Sequence, residues 1–212
     1  MKLYDFWRSS AAYRVRIALN LKNLPYESIP IHLGNDEQRE SAYRAINPQG
    51  FVPLLVDGAY SLNQSLAICE FLDETRPSPP FLPTEPAERA RVRALALVVA
   101  CDIHPLNNKR ILDYLRAPLG HDKQTVDTWY RHWVAEGLWV LEKMLAGNKH
   151  TGKFCHGDQV SLADICLVPQ VANAIRFACP LAEFPTVRAI YAACLTVPAF
   201  DKARPEKQPD AQ

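Results

Sequence analysis

Along the first 76 residues the hydrophobic period changes every few positions, whereas beyond Pro86 a helical period persists for long stretches. Short alternation at residues 2–6 predicts a strand. Residues 12–23 predict a helix, because Val15, Ala18 and Leu19 recur at helical spacing with Arg14, Arg16 and Lys22 between them. Alternation with β-branched residues returns at 26–33. Residues 36–46 read as a polar, weakly amphipathic helix. Residues 52–56 and 59–62, around Asp57-Gly58, read as a hairpin. Residues 64–74 read as a helix carrying Leu66, Ile68, Cys69, Phe71 and Leu72. The order β-α-β-α-β-β-α describes a small α/β layer.

Residues 76–86 hold five prolines, which exclude regular helix and central strand, so this stretch reads as an extended linker. It separates an expected α/β domain at 1–80 from an expected all-helical domain at 87–212. In the second half, residues 87–115, 123–145, 162–176 and 185–194 read as helices, with a short one near Phe200. The polar tail at 204–210 is expected to be loosely ordered.

Composition narrows the class. Of 212 residues, 48% are hydrophobic and 22% charged, as in an ordinary globular chain. A net charge of +1 gives no general reason to bind nucleic acid or an anionic membrane, so any anion binding must come from a few placed basic residues. No apolar run approaches the roughly 20 residues that span a bilayer, and the N-terminus lacks a signal-peptide core. A cytoplasmic protein is expected. The six cysteines (Cys69, Cys101, Cys155, Cys166, Cys179 and Cys194) form no CxxC pair and read as buried free thiols, with no metal site.

Four segments can carry chemistry. Arg8-Ser9-Ser10 joins a strand to a helix, where a serine can cap the first turn or donate its hydroxyl to an anion. The stretch 47–54 brings Pro53 into a strand. That proline is either an ordinary strand start or a special backbone that leaves Val52 open to a peptide-like ligand. Gln64-Ser65 opens the next helix, with Ser65 as its expected N-cap or as part of an anion site. Residues 101–110 place Asp102, His104, Asn108, Lys109 and Arg110 in a mainly apolar helical stretch. A fifth segment, Ser161-Leu162-Ala163-Asp164, reads as a structural capping box.

The string Ser9-Ser10-Ala11-Ala12-Tyr13-Arg14-Val15-Arg16, with Val52-Pro53, Gln64-Ser65 and 161–164, resembles the zeta class of glutathione transferases over nearly the whole chain. The resemblance implies an α/β thioredoxin-like N-terminal domain plus an all-α C-terminal domain, working as a homodimer with glutathione as cofactor. It implies that Ser9 stabilises the glutathione thiolate with Ser10 beside it. Pro53 is then cis, the Val52 backbone pairs with the cysteinyl unit, and Gln64 and Ser65 hold the γ-glutamyl end. Asp102 reaches that same end from the partner subunit. Gln49, His104 and Asn108 complete the expected glutathione set. Arg8 and Arg176 are expected to hold a small dicarboxylate substrate, with Lys109 and Arg110 adding positive potential. The implied activity is cis–trans isomerisation of an enedioate from aromatic catabolism, with maleylacetoacetate ahead of maleylpyruvate and general conjugation of electrophiles as an alternative. One departure from the class is Ala11, where many members carry cysteine. The attacking sulfur belongs to glutathione, so no protein nucleophile is lost.

Overall fold

A computed structural model describes residues 1–211 as two compact units. The first comprises residues 1–81 together with the chain from Thr196 onward, and the second runs from Leu82 to Leu195.

The first unit is built on a four-stranded sheet ordered β2-β1-β3-β4. Strand β1 (Lys2–Asp5) runs parallel to β2 (Glu27–Pro30) and antiparallel to β3 (Leu54–Asp57), which pairs antiparallel with β4 (Tyr60–Asn63). The β-α-β connection is α1 (Ser10–Leu21), and the hairpin leads into α3 (Ser65–Thr75), which packs against α1. Leu3, Val15, Ile17, Leu19, Leu54, Leu55, Ile68 and Leu72 are all buried between them.

Several expectations change here. Helix α1 does not turn its arginines to solvent: every residue from Ala12 to Leu19 is buried, Arg14 and Arg16 included. The residues beyond Thr196, grouped by sequence with the helical half, cover that face. Tyr13 Oη, Arg16 Nε and Asn20 Nδ2 donate to the carbonyls of Phe200, Ala203 and Ala199 at 3.4, 3.1 and 3.1 Å. The tail is correspondingly not loose. Gln208 donates to the carbonyls of Lys202 and Arg204, and Asp210 Oδ2 accepts the Trp7 N–H at 3.1 Å. The helix expected at 36–46 is likewise broken. Asp36 sits at φ 58° and Glu40 is extended, so α2 spans Ser41–Ile46 behind two 3-10 turns.

The second unit is all-helical. Helix α4 (Pro86–Leu97) packs on α7 (Leu162–Arg176), while α6 (Lys123–Leu145) and α7 both pack on α8 (Pro185–Leu195). Asp164, fully buried, accepts from Ser161 N, Ser161 Oγ and Cys155 N at 2.8 Å each, which pins the start of α7 to the preceding loop. Glu142 of α6 accepts the Thr186 and Val187 N–H groups and so caps α8. The long helix expected at 87–115 is interrupted by a π turn at Val98–Ile103 and a 3-10 turn at Pro105–Asn107 before α5 (Lys109–Arg116). The π turn is seated on α6 by the absence of a side chain at Gly137: a Cβ there would lie 2.1 Å from Ile103 Cγ1. Five cysteines are buried as expected, but Cys101, on this turn, is exposed. The short α9 (Pro198–Lys202) belongs to the first unit.

Gly137→Ala should test this seating. Alanine gains about 1 kcal/mol of helix propensity, but pushing into a packed isoleucine costs about 1–3 kcal/mol. Urea unfolding should show a net loss of up to about 2 kcal/mol. A gain would mean that Ile103 yields freely. For the tail, Asp210→Ala should speed exchange of the Trp7 amide about tenfold, the equivalent of 1.4 kcal/mol of local opening. Unchanged protection would show that the carboxylate does not hold this turn.

Candidate active site

Strand register gathers the candidate residues of the first unit at one end of its sheet. Tyr4 lies opposite Leu54, and Leu54 opposite Asn63. The chain therefore leaves β1 toward Ser9, enters β3 from Val52-Pro53 and leaves β4 into Gln64-Ser65, all on the same edge. Phe6, Tyr43, Val52 and Leu54 share a buried cluster beneath it.

Ser9 is the N-cap of α1, with extended φ and ψ of −68° and 117°, and its Oγ accepts the Ala12 N–H at 3.2 Å. Acting as acceptor there leaves the hydroxyl proton available to a second partner. An anionic partner there would lie at the positive end of the helix dipole. Ser10 is the first helical residue and is buried. Arg8 is exposed and lies across the Trp7 ring, its guanidinium carbon 4.9 Å from the centroid.

The Val52-Pro53 peptide is cis, and the β3 ladder begins only at Leu54, so Val52 lies outside it. The preceding residue is held firmly: Tyr43 Oη and Asn47 Nδ2 both donate to the Phe51 carbonyl, at 2.6 and 2.7 Å. Gln49 is exposed on the same loop, its N–H bonded to Asn47 Oδ1.

At α3 the expected cap is displaced by one residue. Gln64, not Ser65, occupies the N-cap position. Its φ of 66° is sparsely populated for a non-glycine residue, and its side chain makes no cap bond. Ser65 is buried, and its Oγ accepts from Arg14 Nη1 at 3.2 Å. The first amides of α3 thus have no side-chain cap of their own, which is the condition of an anion site.

The second unit holds the remaining candidates. Asp102 is exposed on the π turn, and His104 is half-buried at its end. Asn108 is the N-cap of α5, its Oδ1 accepting from Arg110 N at 3.1 Å. Lys109 pairs with Asp113 at 2.6 Å, and Arg110 is exposed. Arg176 ends α7, an exposed side chain lying over the Phe177 ring. Beneath it, Tyr130 stacks on Phe177 with centroids 3.6 Å apart. Burial pushes the Tyr130 phenol up to about 12, with the charge and hydrogen bonding of Arg176 opposing.

Two of these residues carry no local signal that singles them out: Tyr130 is one of several aromatics along its helix, and Arg14 is one of three basic residues between apolar positions. Glu88, His150 and His156 also approach one another, with Glu88 oxygens 3.7 and 3.6 Å from the two rings. Arg91 Nη1 lies 3.2 Å from His156 Nδ1 and can only donate, so the neutral ring turns an N–H, not a lone pair, toward Glu88. That arrangement suits a hydrogen-bonded cluster rather than metal ligation.

The chain is similar to known proteins along its length. The glutathione S-transferase N-terminal domain model matches residues 3–80 and the C-terminal domain model residues 111–202. The chain is 52% identical to a probable maleylacetoacetate isomerase of Vibrio cholerae, over 99% of this chain and 97% of that one. It is 48% identical to a maleylpyruvate isomerase of Ralstonia sp, over the full length of both. Among solved structures, a holo maleylpyruvate isomerase described as a bacterial zeta-class glutathione transferase superposes with a TM-score of 0.98, at 48% identity and full coverage of both chains. A maleylacetoacetate isomerase of Anaeromyxobacter dehalogenans, holding dicarboxyethyl glutathione and citrate in its active site, superposes with a TM-score of 0.88, at 41% identity over 100% of this chain and 97% of that one. With a thioredoxin-like sheet, an all-helical partner unit and these matches along its whole length, the chain belongs to the zeta class of the glutathione transferase family.

Proposed function

We propose that the chain is a glutathione-dependent cis–trans isomerase that converts maleylacetoacetate to fumarylacetoacetate in tyrosine catabolism. The observation that carries this reading is Ser9, a helix N-cap whose hydroxyl can still donate, at the sheet edge shared with Val52 and the uncapped start of α3. Those three features fit the three parts of glutathione: thiol, cysteinyl backbone and γ-glutamyl carboxylate. Relatives crystallised with glutathione or dicarboxyethyl glutathione in the active site support the same fit. Among the described residues no helix is long and apolar enough to cross a membrane. We read the enzyme as a cytoplasmic homodimer, and sedimentation velocity tests the dimer.

When bound, glutathione supplies a thiolate that adds reversibly to the cis double bond, leaving a single bond that can rotate before the sulfur departs. The residues make that addition feasible. A free thiol is only a few per cent ionised at neutral pH, and the α1 dipole with the Ser9 hydroxyl favours the anion. Arg8 and Arg176 each present a planar guanidinium that can hold a carboxylate or the developing enolate oxygen bidentately. Tyr130 and Phe177 keep the Arg176 head oriented. Gln49, His104, Asn108 and the partner's Asp102 serve the peptide, while Lys109 and Arg110 add positive potential.

A second reading, maleylpyruvate as substrate, draws on the Ralstonia relative and the TM-score of 0.98. Glutathione-dependent turnover of the two substrates side by side decides between them: a higher kcat/KM on maleylpyruvate would replace the first reading. Ser9→Ala should raise the pKa of bound glutathione by about one unit, or 1.4 kcal/mol, and slow isomerisation about tenfold at neutral pH. An unchanged ultraviolet thiolate signal with unchanged turnover would remove Ser9 from the role. Arg176→Ala should raise KM for the dianion at least tenfold, about 1.4 kcal/mol or more, while glutathione affinity stays within about twofold. The reverse pattern would move Arg176 to the glutathione subsite.

A further inference from the structure

Helix α1 buries two arginines two residues apart, and the two are treated very differently. Arg16, with no exposed surface, meets Asp5 at 2.8 Å and donates to the carbonyls of Trp7 and Ala203. Arg14, 2% exposed, pairs with no carboxylate among the described residues. Its Nη1 donates to Ser65 Oγ at 3.2 Å, and its Nε and Nη2 have no hydrogen-bond partner. A guanidinium stays charged at any ordinary pH, and burying one without a counter-charge costs several kcal/mol. Its head reaches the uncapped start of α3, where Gln64 holds a φ of 66°. A buried cation and orphaned donors at a helix N-terminus describe half of an ion pair.

We propose that Arg14 is the positioning residue and counter-charge for the free carboxylate at the γ-glutamyl end of glutathione, acting through Ser65. This rests on the glutathione reading above and adds a residue to it. Arginine can only donate, so Ser65 Oγ must accept from it. The Ser65 hydroxyl proton is thereby left for another acceptor at the start of α3, with the Arg14 charge beside it. A carboxylate at that place would receive the hydroxyl and the amides directly, and the guanidinium charge through one side chain. Arg14 touches no reacting atom and is not a catalytic residue.

The test is calorimetric titration of the full chain with glutathione and with γ-aminobutyryl-cysteinylglycine, the same peptide lacking that carboxylate. The wild-type chain should prefer glutathione by about a hundredfold. Arg14→Met should weaken glutathione about thirtyfold and the analogue less than threefold, so that the preference collapses. Arg14→Lys should restore part of it. In turnover, Arg14→Met should raise KM for glutathione and leave kcat at saturating glutathione within twofold. Without ligand, Arg14→Met should unfold at the same urea concentration as wild type or a higher one, because an apolar side chain removes an uncompensated charge. A preference that survives Arg14→Met overturns the proposal, as does equal weakening of both peptides, which would mark a purely structural arginine. If Arg14→Met does not fold, Ser65→Ala with Arg14 in place must also collapse the preference, and its survival there overturns the proposal. A wild-type chain that binds neither peptide overturns the glutathione reading itself, and the first titration shows it before any variant is made.

Discussion

The ion pair between Arg16 and Asp5 is the constraint on which the first unit depends. Both groups are almost fully buried, and burial pushes the Asp5 carboxyl above its ordinary value against the pull of Arg16. Two charges in such a place are tolerable only when nearly every hydrogen-bonding direction is used. Arg16 therefore draws in the Trp7 carbonyl from one side and the Ala203 carbonyl from the other. One side chain thereby fixes the end of β1, the Trp7–Ser9 turn and the returning C-terminal segment relative to one another. That segment supplies Asp210 to the Trp7 amide, and the turn it steadies presents Arg8 and Ser9.

The sheet then turns this local rigidity into a site. Because β3 runs antiparallel to both neighbours, the end of β1, the start of β3 and the end of β4 meet at one edge. Three loops sit there: one with a helix cap at Ser9, one with the cis Val52-Pro53 peptide and one with Gln64 at positive φ. Held by ordered strands and by Tyr43 and Asn47 on the Phe51 carbonyl, they leave amides and hydroxyls available that a regular structure would have consumed.

Most of this frame is legible in the sequence wherever one period dominates. The hairpin around Asp57-Gly58, the helix at 123–145 and the capping sequence at 161–164 carry strong local signals, and the structure follows them closely. What escapes is decided by contacts distant along the chain. Arg14 and Arg16 have the spacing of a solvated helix face, and only the residues beyond Thr196, nearly two hundred positions later, make that face interior. The break at 98–108 follows from Ile103 entering the space at Gly137, a pairing with no local pattern. The tail has polar composition, yet its carboxylate and amide groups find partners that composition cannot reveal. The partner of Ser65 is equally distant: its hydroxyl accepts from Arg14 on another helix, while Gln64 takes the N-cap position of α3. Site residues tied to one loop could be read directly, and those defined by a neighbour across the fold could not.

The two readings of the serine turn, structural cap and anion donor, need not compete. A hydroxyl has one proton and two lone pairs, so accepting the Ala12 N–H uses a lone pair and leaves the proton free. The capping bond fixes where Oγ sits at the positive end of α1 and so lowers the cost of orienting the hydroxyl toward a sulfur anion. Ser65 follows the same logic with a different donor behind it: Arg14 takes one lone pair, and the proton is left for another acceptor. At both helix starts a group inside the protein sets the direction in which a hydroxyl can act. A substitution that removes the inner partner should therefore damage ligand recognition even where the hydroxyl itself is retained.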